Sequence, residues 1–130
     1  MNISSNNLNL EAIIEKFDLP ELEFVNLEKN NLKNVFFLEK CKNLKEILLS
    51  FNQIKTSSTN FLQLKELTFL DLSNNLIENF DSLALLSFNS KLKFLNLKGN
   101  TIEKKHDFRT SFKKLFPLLK MDNLDNKVII

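Results

Sequence analysis

Few side chains here could do covalent or metal chemistry. The chain has one histidine, His106, one cysteine, Cys41, and one glycine, Gly99. A metal site needs several His, Cys or acidic ligands at workable spacing. None accompany His106, which reads as a solvated residue ahead of a C-terminal helix. A nucleophilic cysteine needs an activating base or a cationic setting. Cys41 has no histidine near it in sequence and is expected to be a small buried core residue. One glycine leaves no glycine-rich phosphate loop. The sequence therefore predicts no enzyme, metal site or cofactor. Five lysines, Lys104, Lys105, Lys113, Lys114 and Lys120, give the C-terminal third a basic bias. That bias suits a solvated surface, or a modest, salt-sensitive contact with RNA or an acidic protein segment. What remains for recognition is a set of aromatic and polar residues at fixed intervals between leucines.

Those intervals define the architecture. Four segments share one spacing: LEFVNLEKNNL (22–32), LKEILLSFNQI (44–54), LTFLDLSNNLI (67–77) and LKFLNLKGNTI (92–102). The first, fourth, sixth and eleventh places are apolar in every copy, and the ninth is Asn30, Asn52, Asn75 and Asn100. All four fit L-x-x-L-x-L-x-x-N-x-L, the leucine-rich repeat signature. Places four and six alternate with period two, so they share one face of a short strand. A lone strand cannot bury that face, but stacked copies form a parallel sheet with a continuous core behind it. The asparagine turns the chain off the strand, and its amide both donates and accepts, satisfying backbone groups inside the stack.

The fold class expected is α/β: a leucine-rich repeat solenoid with a curved parallel sheet on its concave face. Short helical or irregular returns occupy the convex face, and Val35, Leu38, Phe80 and Leu83 continue the inward pattern there. The third return, ENFDSLALLSFNSK, has room for a fuller helical turn. An open stack exposes core at both ends, so caps are needed. Leu10, Ile13, Ile14 and Phe17 have helical spacing before Pro20; Phe108, Phe112, Leu115 and Phe116 repeat it before Pro117. Leu119 and Met121 are then placed to cover the last repeat. The chain divides into an N-terminal cap (1–20), four repeats (22–102), a C-terminal cap (103–125) and a tail (126–130).

Composition agrees with a single domain. At 130 residues the chain can bury one core. Hydrophobic content is 43%, charged content 26% and net charge +2, too small a surplus to argue for nucleic acid or membrane. No apolar run approaches a membrane span, and the first residues, MNISSNNLNL, do not read as a secretory signal. With one cysteine, the expectation is an intracellular protein, cytoplasmic or nuclear.

The repeats resemble the short leucine-rich repeats of the phosphatase-1-regulator type. The stretch GNTIEKKHDFRTSFKKLFPLLKMDNLD (99–125) resembles the C-terminal cap of a subset of that group. Asn100, Arg109, Pro117, Leu119 and Asp122 match that cap. Thr101 stands where it usually has proline and Phe108 where it has tyrosine, and the spacing from Pro117 to Asp122 is one residue shorter. Relatives of this design include leucine-rich acidic nuclear phosphoproteins, the spliceosomal A-prime protein and the axonemal leucine-rich dynein light chain. The resemblance implies an adaptor without catalytic activity.

Function is then expected on the concave face, from strand residues that point away from the core. The third places are Phe24, Glu46, Phe69 and Phe94. The fifth are Asn26, Leu48, Asp71 and Asn96, and Ser73 and Lys98 hold the seventh place of the last two copies. These are the candidate partner-binding residues; Asn30, Asn52, Asn75 and Asn100 are candidate structural ones. Phe69 and Phe94 should sit side by side, with Leu48 diagonal to them, as an exposed apolar patch. The partner expected is another protein, offering a helix, tail or loop, with no small-molecule substrate and no membrane. The alternative is a ribonucleoprotein component similar to the spliceosomal A-prime protein, binding an RNA-binding protein and touching RNA through its basic cap. A third possibility is a small subunit of a larger assembly.

Overall fold

The computed structural model describes residues 1–5, 12, 13, 16, 19–55 and 61–119, together with the backbone of 121, 122, 127 and 128. Each repeat contributes one strand of three residues: β1 (Phe24–Asn26), β2 (Glu46–Leu48), β3 (Phe69–Asp71) and β4 (Phe94–Asn96). They pair in parallel and in register, so each place of one repeat faces the same place of the next. Val25, Ile47, Leu70 and Leu95, at place four, are fully buried, as are Leu27, Leu49 and Leu72 at place six. The first coil is looser. Leu22 and Leu32 are half-buried, whereas their counterparts Leu44, Leu67, Ile54 and Ile77 have no exposed surface, because only one side of the first coil is stacked on another repeat.

The ninth-place asparagines stitch one coil to the next. The Asn75 amide nitrogen donates to Leu72 O in its own coil (3.1 Å) and Leu49 O in the preceding one (2.9 Å), while its oxygen accepts from Ile54 N (3.0 Å). Asn52 repeats the pattern on Leu49 O, Leu27 O and Leu32 N, and Asn100 on Leu97 O, Leu72 O and Ile77 N. Asn30, in the first repeat, donates to Ile3 O at 2.8 Å and to Glu28 O at 3.0 Å.

The turn that brings each asparagine inward requires a left-handed residue just before it. The eighth place is Lys29, Phe51, Asn74 and Gly99, with φ of 56°, 57°, 52° and 78°. Asn and Gly are the residue types that suit this region; Lys and Phe are not. At Gly99 a β-carbon would also run into Asn74 Oδ1. Gly99→Ala is therefore expected to cost about 1–2 kcal/mol, read as a lowered thermal midpoint; an unchanged midpoint would show that the turn relaxes.

Returns cross the convex side as 3-10 turns, Phe36–Lys40 and Asp81–Phe88, the longer one occupying the return with the extra residues. Val35, Leu38 and Leu83 are buried and Phe80 half-buried. Asn89, buried at the end of the long turn, donates to Phe61 O and Leu64 O at 3.0 and 2.8 Å, a convex-side stitch. Its Oδ1 is buried with no hydrogen-bond partner among the described residues.

Both ends add chain beside the sheet to the helical caps expected. Ala12, Ile13 and Lys16 are helical and Ile13 packs on the core, but Leu10, Ile14 and Phe17 lie outside the described residues. The residues Met1–Ser5, assigned above to the helical cap, instead run beside β1. Asn26 N donates to Met1 O, Ile3 N to Asn26 O and Ser5 N to Glu28 O, each at 2.8 Å. This satisfies the free edge of β1, where an exposed row of backbone groups would otherwise invite pairing. At the other end, helix α1 (Phe108–Leu115) buries Phe108 and Phe112, with Phe116 buried just after it. The Phe112 ring lies 6.0 Å from Phe108 and 5.1 Å from Phe116, one continuous aromatic plug. Leu119 is buried too. The chain then forms β5 (Met121–Asp122) and β6 (Lys127–Val128). β6 pairs antiparallel with both β4 and β5, so part of the segment read as a tail extends the sheet. The sheet order is β1-β2-β3-β4-β6-β5.

Candidate interaction face

Register decides which side chains meet on the concave face. Place three runs Phe24, Glu46, Phe69, Phe94 across four adjacent strands. Because parallel neighbours are about 4.8 Å apart, two aromatic residues at the same place can stack face to face. Phe69 and Phe94 do so, with ring centroids 4.1 Å apart and planes 6° from parallel. Each covers part of the other, so both are half-buried, and Phe24 is more exposed at 37%. Glu46 is exposed between Phe24 and Phe69, and Leu48 is half-buried one row over.

Place five serves a different purpose. Asn26 Oδ1 accepts from Glu28 N (3.0 Å), Asp71 Oδ1 from Ser73 N (2.8 Å) and Asn96 Oδ1 from Lys98 N (3.1 Å). Each side chain caps the strand end two residues on, an Asx turn. Leu48 has no oxygen to offer and is the apolar exception in that row. The Glu28 carboxylate gathers donors from Asn26 Nδ2 and from Ser50 Oγ.

Two residues expected to be open to a partner are buried. Ser73 is 6% exposed and Asn96 is 7% exposed. Period-two alternation correctly turns them away from the hydrophobic core, but both take part in the hydrogen bonding at the strand ends. Ser73 N is bonded to Asp71, and Asn96 Nδ2 reaches Asp71 Oδ2 at 3.3 Å while β6 lies alongside β4. On the accessible face Phe24 and Glu46 are therefore exposed, Leu48, Phe69, Phe94, Asn26 and Asp71 are half-buried, and Lys98 is exposed at the margin.

Elsewhere, Cys41 is buried (1% exposed) and His106 is exposed. Among the described residues no group of three or more His, Cys, Asp or Glu side chains could hold a metal ion. Lys104, Lys105, Arg109, Lys113 and Lys114 are exposed on the C-terminal cap; Lys120 lies outside the described residues. Two cross-coil ion pairs, Lys45–Glu23 (2.7 Å) and Lys91–Glu66 (2.6 Å), lie on the surface. The hydrogen bond that Lys45 Nζ donates to the Glu23 carboxylate holds its ammonium above the usual lysine range. Pairs this exposed add little to stability. No helix among the described residues is long and apolar enough to cross a membrane.

Comparison with known proteins places these features. A family model described as Leucine Rich repeats (2 copies) matches residues 42–85. Leucine-rich repeat-containing protein 23 of Bos taurus is 32% identical over 101 residues, 78% of this chain and 29% of that protein. Toll-like receptor 4 of Bos taurus is 26% identical over 107 residues, 77% of this chain and 12% of the receptor. The chain thus spans less than a third of the length of these curated relatives. Among solved structures, a chain of the Drosophila melanogaster SNF/U2A' complex superposes with a TM-score of 0.74. It is 24% identical, and the match covers 92% of this chain and 69% of that one. At that identity the likeness speaks for the fold.

Proposed function

Because the chain is a short leucine-rich repeat protein, we propose that it is a non-catalytic interaction module holding a segment of a partner protein in its concave face. The observation that carries this reading is the stacked Phe69–Phe94 pair beside Leu48, on a face whose other rows are polar. An apolar patch framed by polar residues is the common form of a protein interface, and aromatic side chains are its preferred anchors. The partner offers one helix, tail or loop, with an apolar side chain over the two rings and a cationic group opposite Glu46. Such a module suits a scaffold role inside a larger assembly, and its single cysteine supports an intracellular setting, cytoplasmic or nuclear.

A second reading draws on the exposed basic cap and on the likeness to a chain from the SNF/U2A' complex. There the chain is a ribonucleoprotein component whose protein partner sits in the concave face and whose cap touches RNA. One experiment separates the two. The chain is immobilised beside a Lys104→Glu, Lys105→Glu variant and exposed to extract of its source organism, and bound protein and RNA are identified over a salt series. The first reading expects a protein retained equally by both and insensitive to salt. The second expects RNA among the bound material, falling steeply with salt because phosphate contacts release counterions, and falling further in the double variant.

A further inference from the structure

Phe51 occupies a place the concave-face reading does not use. It sits at the eighth place of the second repeat, in the left-handed region at φ 57°, and is 55% exposed. The same place in the third and fourth repeats holds Asn74 and Gly99, residue types suited to that backbone. A bulky aromatic residue there is disfavoured by its backbone and gains little burial in return. The turn imposes that backbone on every copy, Lys29 included, so what sets Phe51 apart is a bulky ring held in solvent. The Lys29 ammonium lies over the ring, 5.8 Å from its centroid.

Two residues further along the chain, Gln53 joins Lys33, Lys55 and Leu76 as the rim of an open depression of about 490 Å³. Lys33 and Lys55 hold equivalent places in adjacent coils and are exposed, and neither has an ion-pair partner among the described residues. Leu76 is 41% exposed. Backbone bonds from Gln53 N to Leu32 O (2.8 Å) and Leu76 N to Ile54 O (2.9 Å) tie the rim into successive coils, so these groups stand on a fixed base. In the third coil the place of the two lysines is taken by Glu78, so the positive strip stops there.

We propose that this rim is a second docking surface, separate from the concave face, for an acidic peptide segment carrying one bulky apolar side chain. The apolar side chain packs on Phe51 and Leu76. The carboxylates pair with Lys29, Lys33 and Lys55. Glu78 sets the direction by repelling acidic residues beyond the second coil.

The test is an NMR titration of the 15N-labelled chain with the synthetic peptide Asp-Glu-Glu-Phe-Asp-Glu-Glu. Saturable shifts are expected at the amides of Phe51, Gln53, Lys55 and Leu76. Replacing the peptide's Phe by Ala should weaken binding about tenfold, as should Phe51→Asn or the pair Lys33→Glu, Lys55→Glu in the protein. Phe51→Asn should melt no lower than the unaltered chain, because asparagine suits the backbone there; this separates lost recognition from lost structure. Shifts confined to the basic cap, equal affinity for the Ala peptide, equal affinity of the Phe51→Asn chain, or no saturable shift at all would each overturn the proposal.

Discussion

Asn75→Ala is expected to cost about 3 kcal/mol or more of folding free energy, the largest loss predicted for any polar side chain here. Alanine removes the donor to Leu49 O and Leu72 O and the acceptor for Ile54 N, groups buried between two coils. Each buried group left without a partner costs about 1–3 kcal/mol. For a domain of this size the thermal midpoint should fall by roughly 10 °C. Hydrogen exchange should speed up first at Ile54, the amide that loses its acceptor, and then through the second and third coils. A midpoint within a degree or two of the unaltered chain, with Ile54 still protected, would show that water or a local shift replaces the side chain.

Phe69→Ala with Phe94→Ala should have its main effect on binding. The rings are half-buried and stacked, so losing both removes the pair term of about 0.5–1.5 kcal/mol as well as some buried area. The midpoint should drop by a few degrees. Affinity for a partner seated on the concave face should drop about a hundredfold or more, since a central aromatic anchor contributes about 2 kcal/mol or more to binding. A single Phe94→Ala leaves Phe69 without its stacked neighbour and should fall between the two. Were the stability loss to exceed the affinity loss, the rings would be part of the fold rather than anchors.

Legibility in the sequence followed how directly a side chain's role depends on spacing. Places one, four, six, nine and eleven recur because every coil must bury the same points, so Leu70, Leu72, Asn75 and Ile77 could be placed from the pattern alone. The rows between them are constrained only to point away from the core. That rule placed Phe69 and Phe94 side by side but could not distinguish Ser73 and Asn96, which are tied into strand-end hydrogen bonds, from residues open to a partner. The left-handed eighth place was masked because Lys29 and Phe51 are poor turn residues; only Asn74 and Gly99 advertise it. Asn89 lies outside the eleven-place pattern. Its signal was its distance from the next repeat: like Cys41 and Leu64, it stands three residues before a first-place leucine. Met1 and Ile3, alternating with Asn2 and Ser4, carried the pattern of the edge segment beside β1, but five residues are too short for that alternation to stand out.

The stacked Phe69–Phe94 face should hold a protein. This is tested most directly by capture from native extract at high salt, comparing the unaltered chain with the Phe69→Ala, Phe94→Ala variant after confirming that both are folded. A defined protein should be retained by the unaltered chain and lost from the variant, with RNA making no difference to its retention. The same protein bound equally by both chains would contradict it.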